Sequence, residues 1–380
     1  MRDGWAETPI GDVAQVLSGF AFKSELFNKS EGIPLIRIRD LPKRDSTDAL
    51  YSGSYENRYV VKKGDFLIGM DGEFHCYEWN GPDALLNQRV CRIQDFNIRR
   101  VVPRYIYFAV NQYLDKIEQD TGYTTVKHIS AKQVLGITIP LPPLPEQKRI
   151  VDLISSVDSY VEALQQQLES AKRSRNAVLH ELLTAGGEDW VERKLPEVVE
   201  VLDRMRKPIN STEREERKGT IPYYGANGQT GWIDEFIFNE ELVLLGEDAI
   251  DFADPSARKA YLIQGPSWVN NHAHVLRADK TIINSYFLME SLNKVDYSQY
   301  VSFGTRSKLT QASMNGIKLL IPPMKIQEKF VELLENFDDV IKATQKAIED
   351  SKVLRSGMLS DLLSGEHEIP SSYDKVMGAA

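Results

Sequence analysis

Two cysteines, Cys76 and Cys91, are all that this 380-residue chain contains. Two are too few for a disulfide framework, and their spacing fits no metal site, so a reducing cytoplasm is the expected compartment. No run of 18 apolar residues occurs, and the opening MRDGWAETPI has no apolar signal core. Neither a membrane span nor export is therefore expected. No P-loop is present, so any use of ATP is expected to come from a partner. Charge of one sign does not dominate either. There are 46 basic and 55 acidic side chains, net −9, and 42% hydrophobic content, an ordinary soluble composition. Seven of the nine excess negative charges fall in 146–189 and 323–380, which leaves 1–145 (18 basic, 18 acidic) and 190–322 (16 and 18) close to neutral. Charge alone neither supports nor excludes a nucleic-acid partner, and a local basic face on each near-neutral part stays open.

What is there is a duplication. Residues 141–150 read LPPLPEQKRI and residues 321–330 read IPPMKIQEKF. At a constant offset of 180, Gly136 matches Gly316, Pro142-Pro143 matches Pro322-Pro323, and Gln147 matches Gln327. The offset then carries Asp158 onto Asp338, Arg175 onto Arg355 and Leu182-Leu183 onto Leu362-Leu363. Any function must therefore need two of something.

Both long segments carry a heptad seam. The first runs Ile150, Ile154, Val157, Val161, Leu164, Leu168, Ala171, Arg175, Val178, Leu182. The second runs Phe330, Leu334, Phe337, Ile341, Thr344, Ile348, Ser351, Arg355, Met358, Leu362. A 3.5-residue period held this long predicts a coiled coil, with helices of roughly 55–60 Å. An arginine interrupts each seam. In an antiparallel pair Arg175 falls near Glu335 and Asp338, and Arg355 near Asp158. Register-fixing salt bridges are one reading; arginines snorkelling past the seam into water are the other. Apolar residues also lie outside the seam, in pairs: Val151 and Val331, Leu153 and Leu333, Tyr160 and Val340, Leu179 and Leu359, Leu183 and Leu363. The chain's own globular parts could cover them. Because the surplus is duplicated, two identical external helices docking at equivalent places are favoured.

The regions before the helices repeat more loosely. Residues 5–17 match 190–202, 64–72 match 240–248, 85–93 match 268–277, and 121–130 match 303–311. Apolar runs broken every 8–12 residues by Gly, Pro and Asn predict short strands with few helices. The fold class is therefore α+β: two tandem α+β domains, each followed by a long helix, with the helices pairing as an antiparallel coiled coil of pseudo-two-fold symmetry. The divisions expected are 1–144, a helix at 145–186, 187–324, a helix at 325–365, and a loose tail at 366–380.

The Pro-Pro lead-in to each long helix, the LLTAG and LLSG exits, the glycine–hydroxyl–lysine loop at 121–130 and 303–311, and the two-fold layout together carry a resemblance. Over residues 4–365 the chain resembles the specificity subunit of type I restriction–modification systems. The resemblance implies two target-recognition domains, each reading half of a split double-stranded DNA sequence, with the helices as an antiparallel spacer. It implies that those helices anchor two methyltransferase (modification) subunits, which recruit restriction subunits. It also implies no catalysis and no cofactor in this chain, with S-adenosylmethionine, ATP and Mg²⁺ bound by the partners. The second lead-in, MKIQEKF, departs from the Pro-Glu-Gln of the first, so the two partner interfaces are expected to be unequal.

For DNA contact the loops offer Tyr123, Thr124, Thr125, Lys127 and His128 in the first half, and Thr305, Arg306, Ser307 and Lys308 in the second. Hydroxyls with Lys or Arg suit phosphate contact and register. Side chains with bidentate capacity near the strands are candidates for base edges: Arg37, Arg39, Gln88 and Arg89 in one half, Asn227, Gln229, Arg258 and Lys259 in the other. Tyr223 and Tyr224 read as sugar contacts or as core aromatics. The bland alternatives are ordinary turns and exposed charge without a DNA role.

Catalytic patterns find little support. IPYYGANG at 221–228 and GMDG at 69–72 supply neither the glycine-rich cofactor loop nor the Asn/Asp-Pro-Pro-aromatic motif of a methyltransferase. His272 and His274 could form a metal pair but lack a clear third ligand. Glu247, Asp248 and Asp251 with Lys259 sketch a nuclease metal site that 70–73 do not reproduce. The runner-up is a coiled-coil protein–protein adaptor without DNA specificity, which sequence-selective, salt-dependent DNA binding would rule against.

Overall fold

The computed structural model describes residues 4–120, 127–301 and 307–376. The chain divides into two compact units, Met1–Gln165 with Ala347–Ala380, and Gln166–Lys346. Each is a mixed α and β body.

In the first unit a four-stranded sheet is built from β1 (Gln15–Ser18), β2 (Phe66–Gly69), β3 (Cys76–Glu78) and β4 (Val90–Gln94), in the order β1-β4-β2-β3. The FLIG of β2 is buried throughout, as a central strand covered on both faces should be. A short five-stranded sheet packs on it through a second core, in which Leu35, Ile36 and Leu85 meet Leu67 of β2 and Trp79. Helix α1 (Pro103–Asp120) opens on a proline, whose missing N–H costs nothing in a first turn. The strand Ala6–Pro9 pairs antiparallel with Thr138–Leu141, so the start of the unit is bound to the segment that leads into helix α2 (Leu144–Thr184).

The second unit repeats this plan. Its sheet is β5 (Val199–Val201), β6 (Leu242–Gly246), β7 (Ala260–Ile263) and β8 (Ala273–Ala278), in the order β5-β8-β6-β7. Helix α3 (Ser285–Lys294) stands where α1 does, and Val191–Lys194 pairs with Lys318–Ile321 ahead of helix α4 (Met324–Ser364). Asn111 on α1 and Asn293 on α3 do the same work. The first accepts from Cys76 N (2.7 Å), and the second from Ala260 N (2.9 Å), tying each helix to an edge strand.

The matched glutamines of the Pro-Pro segments are also structural. Gln147, fully buried, accepts from Val102 N (2.8 Å) and donates to the carbonyls of Arg100 (3.0 Å) and Pro142 (2.7 Å). Gln327 accepts from Asn284 N (2.8 Å) and donates to Ile282 (2.9 Å) and Pro322 (2.8 Å). Each amide thus clamps the start of a long helix to the loop before α1 or α3. The departing lead-in has a visible consequence: Trp5 Nε1 donates to Glu146 (3.1 Å), whereas the matching second-copy position holds Ile326, which cannot accept.

Every seam residue of both helices is buried or half-buried. In the first unit Ile150 and Ile154 share a core with Leu362, and Asp158 meets Arg355. In the second, Val178 and Leu182 pack with Phe330 and Leu334, and Arg175 meets Asp338. Numbers rise on one helix as they fall on the other, so the pairing within each unit is antiparallel. Burying Ile150 and Ile154 contributes about 1.5–3 kcal/mol each.

Two expectations need correction. Of the segment 366–380, read as a loose tail, the described part to 376 buries Ile369 in the first unit's core, and Asp374 takes both Nε (2.8 Å) and Nη2 (2.9 Å) of Arg149. One buried isoleucine and one bidentate ion pair hold a segment whose polar composition suggested otherwise. Of the ten apolar residues assigned to external helices, Leu179, Val331 and Leu363 are buried in their own units' cores. Val151, Leu153, Leu183 and Leu359 are half-covered by the same cores. Tyr160, Leu333 and Val340 are exposed. The globular parts cover a second face of each helix, which a heptad pattern does not reveal. Among the described residues no helix is long and apolar enough to cross a membrane.

Candidate nucleic-acid interface

At one end of each four-stranded sheet, chain segments lie side by side in the same order. In the first unit Gly19 N donates to Val90 O (2.8 Å), Met70 N to Arg89 O (2.8 Å), and Ile129 N to Met70 O (2.8 Å). In the second, Leu202 N donates to Val275 O (2.8 Å), Glu247 N to His272 O (2.9 Å), and Leu309 N to Glu247 O (2.8 Å). The backbone therefore makes Arg89 equivalent to His272, Asp71 to Asp248, and the 127–129 segment to 307–309. Ser130 and Thr310 follow as matched caps of short helices, each accepting from a backbone N–H three residues on.

The side chains on this framework differ. In the first unit Asp71 sits between Arg89 Nε (3.5 Å) and His128 Nδ1 (2.6 Å), and Lys127 Nζ lies 3.0 Å from Glu118. Arg89 and His128 remain largely exposed, and Arg89 adopts a positive φ of 71° in the turn that leads into β4. In the second unit Asp248 takes His272 (2.8 Å), while Glu247 takes Arg206 (2.8 Å) and Lys308 (3.0 Å). Burial pushes the Glu247 carboxyl up, but its bonds to Arg206 and Lys308 win and hold it below the usual glutamate range. Behind this row His274 is buried, with Nδ1 2.6 Å from Asp203 and Nε2 2.8 Å from the Leu309 carbonyl. Burial likewise pushes Asp203 up, and its bonds to His274 and to Val275 N hold it low.

The structure brings some sequence candidates together and separates others. Gln88, Arg89, Lys127 and His128 share the first row, and Lys308 with Ser307 belongs to the second. Asn227, Gln229 and Arg258 line one cleft of about 590 Å³ with Tyr224 and Tyr261. Tyr123, Thr124, Thr125, Thr305 and Arg306 lie outside the described residues. Lys259 is a correction. It is buried just ahead of β7, where its backbone carbonyl accepts from Gly246 N (2.9 Å) at the end of the central strand β6 and its amine donates to the Asp254 carbonyl. Arg37 is committed to the buried carboxylate of Asp40 (3.0 Å), whereas Arg39 is exposed. Tyr223 is a core residue and Tyr224 is half-buried.

The metal readings fare differently from the rows. His272 and His274 bond different carboxylates, Asp251 caps its own turn through Ala253 N and Asp254 N, and among the described residues no three-ligand cluster occurs. Sequence reasoning missed Arg206, whose guanidinium also reaches the Ala273 carbonyl (2.8 Å); the only signal was the run RMRK at 204–207.

Comparison with known proteins agrees with this architecture. The profile of the family described as "Type I restriction modification DNA specificity domain" matches residues 2–173 and again 187–350. The type I restriction enzyme EcoBI specificity subunit of Escherichia coli is 39% identical over 204 residues, which cover 51% of this chain and 43% of that protein. This chain thus spans under half the length of that relative. The type I restriction enzyme MjaVIII specificity subunit of Methanocaldococcus jannaschii is 22% identical over 404 residues, 96% of this chain and 93% of the relative. The crystal structure of the S subunit of a type I restriction–modification system from M. genitalium superposes with a TM-score of 0.61 at 17% identity, over 94% of this chain and 96% of that one, a likeness of fold. With its repeated body and two profile matches that together cover most of its length, the chain belongs to the family of type I restriction–modification DNA specificity domains and carries that domain twice.

Proposed function

We propose that this chain is the DNA-recognition subunit of a type I restriction–modification enzyme, each unit reading one half of a split double-stranded target. The observation that carries the reading is the pair of sheet-end rows: one backbone frame presents Gln88, Arg89 and His128 in one unit and Asn271, His272 and Lys308 in the other. A common frame with unlike side chains is what two similar readers of unlike sequences need. The paired helices α2 and α4 serve as spacer, and Tyr160, Leu333 and Val340, exposed on them, contribute to docking two methyltransferase subunits. Those partners bind S-adenosylmethionine and bring in restriction subunits with ATP and Mg²⁺; this chain supplies recognition and no reacting group. Its place of action is the cytoplasm.

The test is equilibrium binding of duplex DNA by the chain assembled with its methyltransferase subunits. Sequence-selective binding that weakens steeply with salt supports the reading. Stable assembly without DNA selectivity would support a protein adaptor instead.

A further inference from the structure

Phe20 and Met205 come at the same count from matched leucines, Phe20 in a bridge to Asn87 and Met205 at the end of a 3-10 turn, Asp203–Met205. Leu17 pairs with Arg92 across the first sheet, and Leu202 N bonds Val275 O at the matching rung of the second. Phe20 and Met205 each come three residues after that leucine, at the row end. They are 44% and 45% exposed. A lone exposed apolar side chain means nothing. Two at the same count from matched leucines, each adjoining the row of its own unit, require a reason.

Their surroundings supply it. Phe20 N donates to Leu86 O (3.0 Å) and Gln88 N to Phe20 O (2.8 Å), which seats Phe20 on the turn that carries Gln88 and Arg89. Gly19 permits this approach, since a Cβ there would lie 2.0 Å from the Asn87 carbonyl oxygen. The Phe20 ring rests edge-on against Phe22 (5.1 Å) and beside Tyr59 (5.2 Å), which hold it in place without covering it. Met205 N donates to Leu202 O (2.9 Å), exposed Arg204 and Lys207 flank it, and Arg206 runs from it into the row at Glu247. Each unit thus presents one apolar tip bordered by groups able to bond phosphates and base edges. DNA-binding proteins use such tips against thymine methyls or between base steps.

We propose that Phe20 and Met205 are specificity-determining residues, each packing against a base in its own half of the DNA target. This rests on the reading of the chain as a DNA-recognition subunit.

The test uses the full chain assembled with its methyltransferase partners, with the methylated motif read by sequencing DNA modified in cells. Wild type, Phe20→Ala, Phe20→Leu, Met205→Ala and Met205→Leu are compared. Phe20→Ala is expected to relax base preference and lower methylation roughly tenfold in one half of the motif, and Met205→Ala in the other. The leucine variants should retain more of the wild-type preference. Alanine variants that fold and assemble but leave the motif unchanged would overturn the proposal. So would loss of both halves together, or weakened assembly with the motif intact, which would place these side chains in a protein interface. A wild-type assembly that methylates no split motif would remove the underlying reading as well, and is told apart because no variant is needed to see it.

Discussion

Arg175 reaches Asp338 across the helix pair, Nε to Oδ1 at 2.6 Å, and 180 residues on Arg355 repeats the bond to Asp158, with Nη2 3.0 Å from Oδ2. The third partner differs. Arg175 Nη2 also bonds Glu290 on α3 (2.6 Å), whereas Arg355 lies over the ring of Phe108 on α1 at 5.6 Å. Burial alone would pull Arg175 down, but its bonds to Asp338 and Glu290 raise it well above the usual arginine value.

Arg175→Ala should therefore cost more stability than Arg355→Ala, because it strands Glu290, which is buried. Removing one partner of a buried pair costs roughly 3–5 kcal/mol; with Arg175 partly accessible, about 2 kcal/mol is expected. A double-mutant cycle of Arg175→Ala with Asp338→Ala, followed by thermal unfolding, should show a coupling of about 1 kcal/mol or more. Strict additivity would mean that the bond contributes nothing.

Gln147→Ala and Gln327→Ala should each destabilise the chain by about 1–3 kcal/mol, since each strands one backbone N–H and two carbonyls in buried surroundings. Chemical denaturation of both variants is the check. Loss in only one would show that the two clamps are not equivalent.

Acid should weaken the second unit through named carboxyls. Burial raises Asp338, yet its bonds to Arg175 and Tyr286 hold it below the ordinary 3.8, and Asp203 is also held low. A depressed carboxyl contributes stability that is present above its unfolded value and is lost as pH falls through its folded value. Melting temperature measured from pH 6 downward should thus drop below about pH 4, and Asp338→Asn should be less stable at neutral pH with a shallower acid limb. An unchanged acid limb would refute the assignment.

Both cysteines should be silent in the folded protein. Burial pushes Cys91 up to about 12 and Cys76 well above the usual thiol value. A thiol-specific reagent at pH 8 should label neither until denaturant is added; rapid native labelling would contradict the packing.

The helix pair was the most legible part of the sequence. Heptad steps, the Pro-Pro starts and the seam arginines each depend on local spacing, and spacing survives folding; Arg175 and Arg355 met the aspartates expected of them, with Glu290 in place of Glu335. What the helices lean on was illegible, because it depends on non-local packing, as Leu179 and Leu363 show. Side-chain type singled out Arg89, His128 and Lys308, which the structure sets in the two sheet-end rows. It misplaced Lys259, which the pairing of its backbone with the end of β6 draws into the interior, and Met205 is related to Phe20 only by its equal count from a matched leucine.

The most direct test of the account is the motif methylated by the assembled enzyme when each row is altered alone. Arg89→Ala should change base preference in one half of a split motif and His272→Ala in the other, with the gap between the halves unchanged. A continuous motif, or both halves shifting together in either variant, would contradict it.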